Sequence, residues 1–265
     1  MKKFIGIFVI IVMGMTTFVA CDPVENRNDP GGAVSQADID KNVTVTQEVR
    51  EGKKSNFFKY SVGNLQALTQ FKNDLGIIYG STADYVQSFL FPGPAQIVLT
   101  VLNPDGSKLT KTYDFTVDEA FDVAPQWDML TASSSKTWVF DGTGGDNRIW
   151  WAMTDPNDPG AVWWNAGGTC CPPSDASGHM VFSAKGLTIA TYSSPSDANP
   201  KTGTFSFNSD FTEFTVSGNV NILGSEGSAG NSGKFKVVNL TNNTMKLHVS
   251  NASGGTGWVW VFKPQ

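Results

Sequence analysis

Short runs of alternating apolar and polar residues recur along the chain, and they constrain its fold more than any other feature. The segments FFKYSV at residues 57–62 and IVLTVL at residues 97–102 are two examples. Successive side chains of a β-strand point to opposite faces, so this alternation is typical of strands with one buried face. Glycine is frequent, with 27 residues, and only 16% of the chain is charged, which also favours β-structure. We therefore predict an all-β protein.

The strand-like runs fall into two groups, which predict two domains. In the first group, residues 42–118, turn formers such as NPDG at 103–106 separate the runs. This pattern predicts a small antiparallel sandwich. Residues 119–135 contain Pro125 and a run of small polar residues, and we expect a linker there.

The second group, residues 136–265, contains about ten short runs at spacings of roughly 8–12 residues. Many short, evenly spaced strands predict a β-barrel or a two-sheet jelly roll. All eight tryptophans of the chain lie between Trp127 and Trp260. The second domain is therefore rich in tryptophan, whereas the first contains none.

The first 20 residues predict an export signal. Two lysines precede an apolar run from Phe4 to Met15, which is shorter than the about 20 residues of a membrane-spanning helix. The sequence FVAC at 18–21 resembles the lipobox of bacterial lipoproteins, in which small residues precede a cysteine that becomes the acylated first residue. The resemblance implies cleavage before Cys21 and membrane attachment through lipid on Cys21. The alternative is an ordinary signal peptide cut near Ala20.

The segment after the leader, residues 21–41, has few apolar side chains and several turn formers, so we expect a flexible tether. The chain has 24 acidic residues against 19 lysines and arginines, of which Lys2 and Lys3 belong to the leader. Nucleic-acid-binding proteins need a basic surface. The acidic balance therefore argues against nucleic acid as a partner.

Adjacent tryptophans are the main indication of a binding surface. If Trp150-Trp151 and Trp163-Trp164 lie on strands, each pair sends one ring to each face of its sheet. Exposed aromatic rings beside short polar side chains suit sugars, because a ring covers the apolar face of a pyranose while polar groups bind its hydroxyls. The alternative is that most of these rings belong to the core.

A turn-rich loop, residues 152–160, separates the two pairs and supplies polar groups. We predict a glycan site in which these groups act beside the exposed rings. Its candidate residues are Trp150, Trp151, Trp163, Trp164 and Trp258, with Asp155 and Asn157 as polar contacts. The alternative for the acidic residues is ordinary turn chemistry, since Asp and Asn before Pro or Gly favour turns.

The remaining cysteines, Cys170 and Cys171, predict either a vicinal disulfide, which we favour in an exported protein, or two reduced thiols. We expect no metal and no cofactor. A zinc site needs about four ligands, and the two histidines are distant in sequence. A calcium site is a less favoured alternative, because its acidic candidates match no defined calcium loop. Those candidates are Asp141, Asp146, Asp155 and Asp158.

We expect a protein without enzymatic activity. A glycosidase needs two carboxylates at a set distance, whereas the predicted strands have few acidic residues, with Glu213 nearly alone. The sequence has no nucleophile elbow, phosphate loop or dinucleotide fingerprint. A glycoside hydrolase is the less favoured alternative.

Two segments resemble known families. FPG at 91–93, the apolar face of Ile97, Leu99 and Val101, and NPDG at 103–106 together resemble the second half of a PKD-type immunoglobulin-like domain. The C-terminal domain resembles a lipocalin-like β-barrel family of surface lipoproteins encoded with polysaccharide-uptake systems in Bacteroidetes. Its matching segments are MLTASSSKTWV at 129–139, WWNA at 163–166, MVFS at 180–183 and WVWVF at 258–262.

Together these resemblances imply a SusE-like, non-catalytic accessory of a SusC/SusD-type glycan importer. Such a protein would be anchored by lipid in the outer membrane, would face the cell exterior and would bind a polysaccharide or oligosaccharide. The alternative is a structural or protein-interaction subunit of an outer-membrane complex.

Overall fold

The structure is a computed structural model and describes residues 32–144, 149–224, 233–250 and 255–265. The predicted leader, Cys21 and the first part of the predicted tether lie outside the described residues. In the described part the chain is all-β apart from short helices, which confirms the fold class. None of the helices described is long and apolar enough to cross a membrane.

The N-terminal unit consists of two antiparallel sheets with one core between them. The strand orders are β1-β2-β5 and β4-β3-β6-β7. Phe58 and Tyr60 of the first sheet and Phe71, Ile97 and Leu99 of the second are fully buried in this core. The unit therefore has two facing antiparallel sheets, and its immunoglobulin-like character stays a prediction. Its strands are β1 (Val43–Arg50), β2 (Lys53–Val62), β3 (Leu68–Asn73), β4 (Ile78–Tyr79), β5 (Val86–Gln87), β6 (Gly93–Leu102) and β7 (Lys108–Val117).

The end of the predicted tether is ordered. Helix α1 (Gln36–Asn42) begins with a capping box, in which the Ser35 side chain accepts from the backbone of Asp38 and the Asp38 carboxylate binds Ser35 in return. Ile39 is fully buried in the core of the N-terminal unit, and the backbone N–H of Val34 donates to Asn103 Oδ1 at 3.1 Å. The tether prediction is therefore wrong for residues 34–41, because their few apolar side chains pack against a core formed by distant strands.

The predicted linker contains a second helix, α2 (Pro125–Thr131). Proline at its first turn is favourable because the missing N–H would have no partner there, and Ala132 ends the helix in a left-handed conformation with φ 48°. Leu130 is fully buried in the core of the C-terminal domain, and its carbonyl accepts from Trp138 Nε1 at 3.0 Å. This part of the chain is therefore a structural element of the barrel as well as a connection.

The C-terminal domain has ten strands in its described residues, and eight of them form a closed antiparallel barrel. The ring order is β8-β11-β12-β13-β14-β15-β16-β17, closed by the pairing of β17 with β8. This result selects the barrel over the jelly roll. The strands are β8 (Ser135–Phe140), β9 (Ile149–Thr154), β10 (Val162–Gly167), β11 (His179–Ser183), β12 (Thr188–Tyr192), β13 (Lys201–Phe207), β14 (Glu213–Asn219), β15 (Lys234–Leu240), β16 (Met245–Ser250) and β17 (Gly257–Pro264).

The hairpin β9–β10 lies beside the barrel rather than in its ring. The second half of β17 pairs with β8, from Phe262 to Pro264, whereas its first half pairs with β9, from Gly257 to Trp260. Strand β10 pairs with β9 alone. The hairpin therefore extends the barrel wall outward, and the inner face of the wall continues onto it.

The two ends of the barrel differ. At the end where β13 leads into β14, which we call the base, the α2 residue Trp127 packs against Phe207 and Phe211 with ring centroids 5.4 and 5.9 Å apart. Gly186, also at the base, donates its N–H to the Asp74 carbonyl of the N-terminal unit at 2.8 Å. The opposite end, where β11, β13, β15 and β17 begin, is the mouth. The N-terminal unit thus meets the barrel at the end farthest from the mouth.

Candidate functional site

Four tryptophan rings form a continuous surface on the inner face of the wall near the mouth. We call Trp164, Trp151, Trp258 and Trp260 the tryptophan row. The ring centroid of Trp151 lies 5.1 Å from that of Trp164 and 4.8 Å from that of Trp258. Strand register explains the arrangement, because Trp151 is opposite Trp260 and Trp258 is opposite Met153, which in turn pairs with Trp164. Side chains that face each other across antiparallel strands lie on the same side of the sheet.

The row is partly open to solvent. Trp164 is 41% exposed, Trp151 and Trp258 are half-buried, and Trp260 is 3% exposed. Exposure thus increases from the barrel wall towards the hairpin. Aromatic rings in a core are normally covered. A large aromatic surface that stays exposed to solvent is more typical of a binding site.

A cavity of about 280 Å³ lies beside the row, and Trp151, Trp258 and Trp260 line it. Asp175 is the charged residue among the described residues that line this cavity, whose other members are Cys171, Pro172, Pro173, Ser174 and Gly224. Apolar walls with a few polar groups are typical of small-molecule sites. The cavity has the composition of a site for a ligand with both apolar and polar faces.

Two indole N–H groups beside this cavity have no acceptor among the described residues. They belong to Trp258 and Trp260, and both nitrogens are buried. Both tryptophans of β9 have partners, since Trp150 Nε1 donates to the Gly168 carbonyl at 3.0 Å and Trp151 Nε1 to the Cys171 carbonyl at 3.1 Å. Buried donors without acceptors are costly. Neither nitrogen is open to solvent, so an acceptor on a bound ligand would satisfy them only after the rings shift to admit it.

The loop after β10 forms the opposite side of the cavity. The structure joins the adjacent Cys170 and Cys171 in a disulfide, with Cα atoms 3.8 Å apart. Cys171 has a left-handed backbone with φ 59°, and its carbonyl accepts from Trp151. This contact holds one ring of the tryptophan row against the loop.

A close backbone approach shapes the floor of the cavity. The N–H of Gly224 donates to both oxygens of the Asp175 carboxylate, at 3.2 and 2.9 Å. A Cβ atom at Gly224 would lie 2.5 Å from the Trp260 ring, and its φ of 78° is also unfavourable for other residues. Glycine at this position allows Asp175 and Trp260 to line the same cavity.

The predicted tryptophans differ in burial and in their contacts with the row. Trp150 is 7% exposed and packs on Phe140, with centroids 5.9 Å apart, at a place where Gly142 has no side chain to obstruct it. Both members of the second pair are exposed, Trp163 to 52% and Trp164 to 41%. Trp164 joins the row on the inner face and Trp163 does not, and both rings are exposed because β10 is an edge strand that the barrel does not cover. Among the described residues Trp163 makes no ring contact with the row.

The predicted polar partners lie elsewhere. Asn157 lines a separate hollow on the outer wall, together with Glu213 and His248, and shares no lining residue with the tryptophan cavity. Asp155 Oδ1 accepts from the backbone N–H of Asn157 at 2.8 Å, which is turn chemistry. The hollow and the tryptophan cavity lie on opposite faces of the wall, because successive side chains of a strand alternate between faces. His248 pairs with Val259 on the outer face, whereas its neighbour Leu247 pairs with Trp260 on the inner face.

The hollow on the outer wall contains the titratable side chains of His248 and Glu213. Burial lowers the pKa of His248 below its usual value. Glu213 forms an ion pair with Lys234 at 3.3 Å. Within the described ranges, no three His, Cys, Asp or Glu side chains are grouped as metal ligands would be. Asp146, one of the calcium candidates, lies outside the described residues.

Sequence reasoning missed Trp260 as a site residue and missed the wall formed by Pro172, Pro173, Asp175 and Gly224. The unusual segment CCPPSD at 170–175 was the available indication, since consecutive cysteines and prolines limit a loop to few conformations. Nothing local indicated Gly224, which matters only through its contact with a distant ring.

No protein-family model matches the chain, and no curated protein sequence matches it. Among solved structures, a crystal structure of a lipoprotein from Bacteroides thetaiotaomicron is similar at 17% sequence identity, with a TM-score of 0.23. The match covers 83% of this chain and 99% of that one.

Proposed function

We propose that this protein is a non-catalytic glycan-binding lipoprotein that holds a sugar on the tryptophan row at the mouth of its barrel. The main support is the row itself, with its open rings next to two buried indole N–H groups that have no acceptor among the described residues. A pyranose offers an apolar face to a ring and oxygen acceptors at its edge, so it matches both features.

Rival ligands fit less well. A purely apolar ligand would leave the N–H groups of Trp258 and Trp260 unsatisfied. An anionic ligand would meet Asp175, and no cationic side chain is among the described residues that line the cavity. The proposed ligand is therefore an uncharged saccharide. Affinity should be modest, because binding replaces water on hydroxyl groups and gains mainly at the rings.

The proposal includes no catalytic step. A retaining or inverting glycosidase has two carboxyl groups on either side of the scissile bond. Among the described residues that line the tryptophan cavity there is one, Asp175, whose two oxygens already accept from the Gly224 N–H. A hydrolase would release reducing sugar, so the absence of release from a polysaccharide that binds would agree with the proposal.

The proposed localisation is based on the lipoprotein leader and on the orientation of the barrel relative to the N-terminal unit. Lipid on Cys21 would anchor the chain in the outer membrane, and the N-terminal unit meets the barrel at its base through Asp74 and Gly186. The mouth would then point away from the anchor, towards polysaccharide outside the cell. In this role the protein would assist a SusC/SusD-type importer.

Affinity electrophoresis tests the proposal with laminarin, xyloglucan, galactomannan, arabinoxylan and dextran as neutral probes and alginate as an acidic one. At least one neutral polysaccharide should retard the protein. Trp164→Ala and Trp258→Ala should each abolish most of this retardation. Trp163→Ala is the matched control for Trp164→Ala, since it removes an even more exposed ring from the same strand but outside the row.

Two results would overturn the proposal: no retardation by any neutral probe, or retardation that survives both Trp164→Ala and Trp258→Ala. Co-purification of a partner protein that depends on the same two rings, without glycan binding, would instead support the alternative of a protein-interaction subunit.

A further inference from the structure

A second, polar cavity adjoins the tryptophan cavity at the mouth of the barrel. Its volume is about 360 Å³, and Asp175 lines both cavities. The segment after β14 also borders both, because Ile222 lines the polar cavity and Gly224 the tryptophan cavity. One shared wall, formed by Asp175 and residues 222–224, therefore separates two neighbouring hollows.

The polar cavity has a different chemistry from the tryptophan cavity. Hydroxyl, amide, carboxylate and ammonium groups line it beside the apolar side chain of Ile222, and no aromatic ring is among the described residues that line it. The lining residues, besides Asp175 and Ile222, are Thr191, Ser193, Asp197, Asn199, Lys201 and Asn221. Such groups bind sugar hydroxyls by hydrogen bonds without an aromatic platform.

The loop that forms this cavity is held in one conformation. Asp197 Oδ2 accepts from the Ser193 backbone N–H at 2.9 Å and from its hydroxyl at 2.8 Å, while Oδ1 accepts from the Asn199 N–H at 2.9 Å. The backbone hydrogen bond from Ser193 and the other bonds lower the pKa of Asp197. On the opposite wall, the Thr191 hydroxyl donates to the Asn221 carbonyl at 2.7 Å. A preformed site loses less entropy on binding.

We infer that the polar cavity is a second sugar subsite, so that the ligand is an oligosaccharide of at least two residues that crosses the Asp175 wall. This inference rests on the proposed glycan binding at the tryptophan row. Each cavity is near the lower limit of the roughly 300–1,000 Å³ usual for ligand sites, and a ligand that spans both would use aromatic stacking on one side and hydrogen bonds on the other.

Isothermal titration calorimetry with cello-, laminari-, manno- and xylo-oligosaccharides of two to six residues tests the inference. Affinity should rise about tenfold between the disaccharide and the tetrasaccharide of the series that binds, and it should change little with further length. Asn199→Ala should remove most of this rise and leave the disaccharide affinity unchanged. The variant keeps the backbone N–H that Asp197 binds, so the loop should stay folded.

Asn243→Ala is the control, since Asn243 is an exposed asparagine in the turn between β15 and β16 at the base. It should keep the full dependence on length. If wild-type affinity does not depend on length, or if Asn199→Ala weakens all lengths equally, the subsite is wrong while the proposed function stands. If no oligosaccharide or polysaccharide binds, both proposals fail together.

Discussion

Trp151 and Trp260 lie directly opposite each other in the ladder between β9 and β17, with ring centroids 6.2 Å apart. Trp260 belongs to the barrel wall, whereas Trp151 belongs to the hairpin beside it. The pair is therefore the point at which the closed barrel and the open hairpin share one aromatic surface. Changes on the barrel side and on the hairpin side of this pair should therefore alter the site in different ways.

Replacement of Gly224 by alanine should damage the site through a steric clash. The new Cβ would lie 2.5 Å from the Trp260 ring, so that ring or the backbone must shift. We expect a loss of about 1–3 kcal/mol in the free energy of unfolding from overpacking, on top of about 1 kcal/mol for the positive φ. Urea denaturation measures the total loss in the free energy of unfolding.

Gly52→Ala is the matched control for Gly224→Ala, because Gly52 has a φ of 77° against 78° and no atom within 4 Å of its Cβ position. It should show the backbone cost alone and leave tryptophan fluorescence unchanged. Equal destabilisation by the two substitutions would contradict the predicted contact between Gly224 and Trp260.

Trp127→Ala should destabilise the barrel from its base. The Trp127 ring packs against Phe207 and Phe211 and is half-buried. Removal of a large aromatic side chain from a packed position costs about 3 kcal/mol, which should lower the urea midpoint of unfolding clearly. Sugar binding by the protein that remains folded should persist, since the tryptophan row lies at the other end. Loss of binding in fully folded protein would argue against the separation of base and mouth.

The disulfide between Cys170 and Cys171 should be detectable by alkylation and mass spectrometry. In protein expressed from residue 32 onward these are the only two cysteines. We expect no adduct without reductant and two adducts after reduction. Reduction should also weaken glycan binding several-fold, because the Cys171 carbonyl positions the Trp151 ring. Two adducts without reductant would show that the thiols are free.

Stability should depend on pH through His248. Burial lowers its folded pKa below the usual value of about 6.5, and Lys236 on the neighbouring strand opposes its protonation further. The unfolded chain therefore binds the proton more readily. The contribution to stability should be complete above about pH 6.5 and should decline as the pH falls through that value towards the folded pKa.

Urea unfolding between pH 7.5 and 5.5 measures this effect. His248→Gln should flatten the decline in the unfolding midpoint, whereas His179→Gln, which changes the ring stacked on Tyr192, should retain it. A decline of unchanged size in His248→Gln would assign the pH dependence to other groups.

Local pattern predicted the strands well and the connections poorly. Runs such as YDFTV at 113–117 alternate in both sequence and burial, because alternation depends only on the geometry of an extended backbone. The helix α1 was missed since Ile39 has no apolar neighbours in sequence, and its burial depends on strands as distant as β6. The helix α2 was missed because Pro125 and the following small residues are equally compatible with a linker.

The candidate site shows the same division. Tryptophan pairs on predicted strands were visible in the sequence, and so was the all-β class, because both depend on side-chain types and on a period of two residues. The sequence did not show that Trp164 rather than Trp163 belongs to the row. It also did not show that Asn157 lies outside the cavity and that Asp175 and Gly224 line it. Each depends on which strands become neighbours when β17 pairs with both β8 and β9, more than 100 residues away in the chain. Local periodicity contains no information about such pairings, and only the closed barrel brings these residues to one cavity.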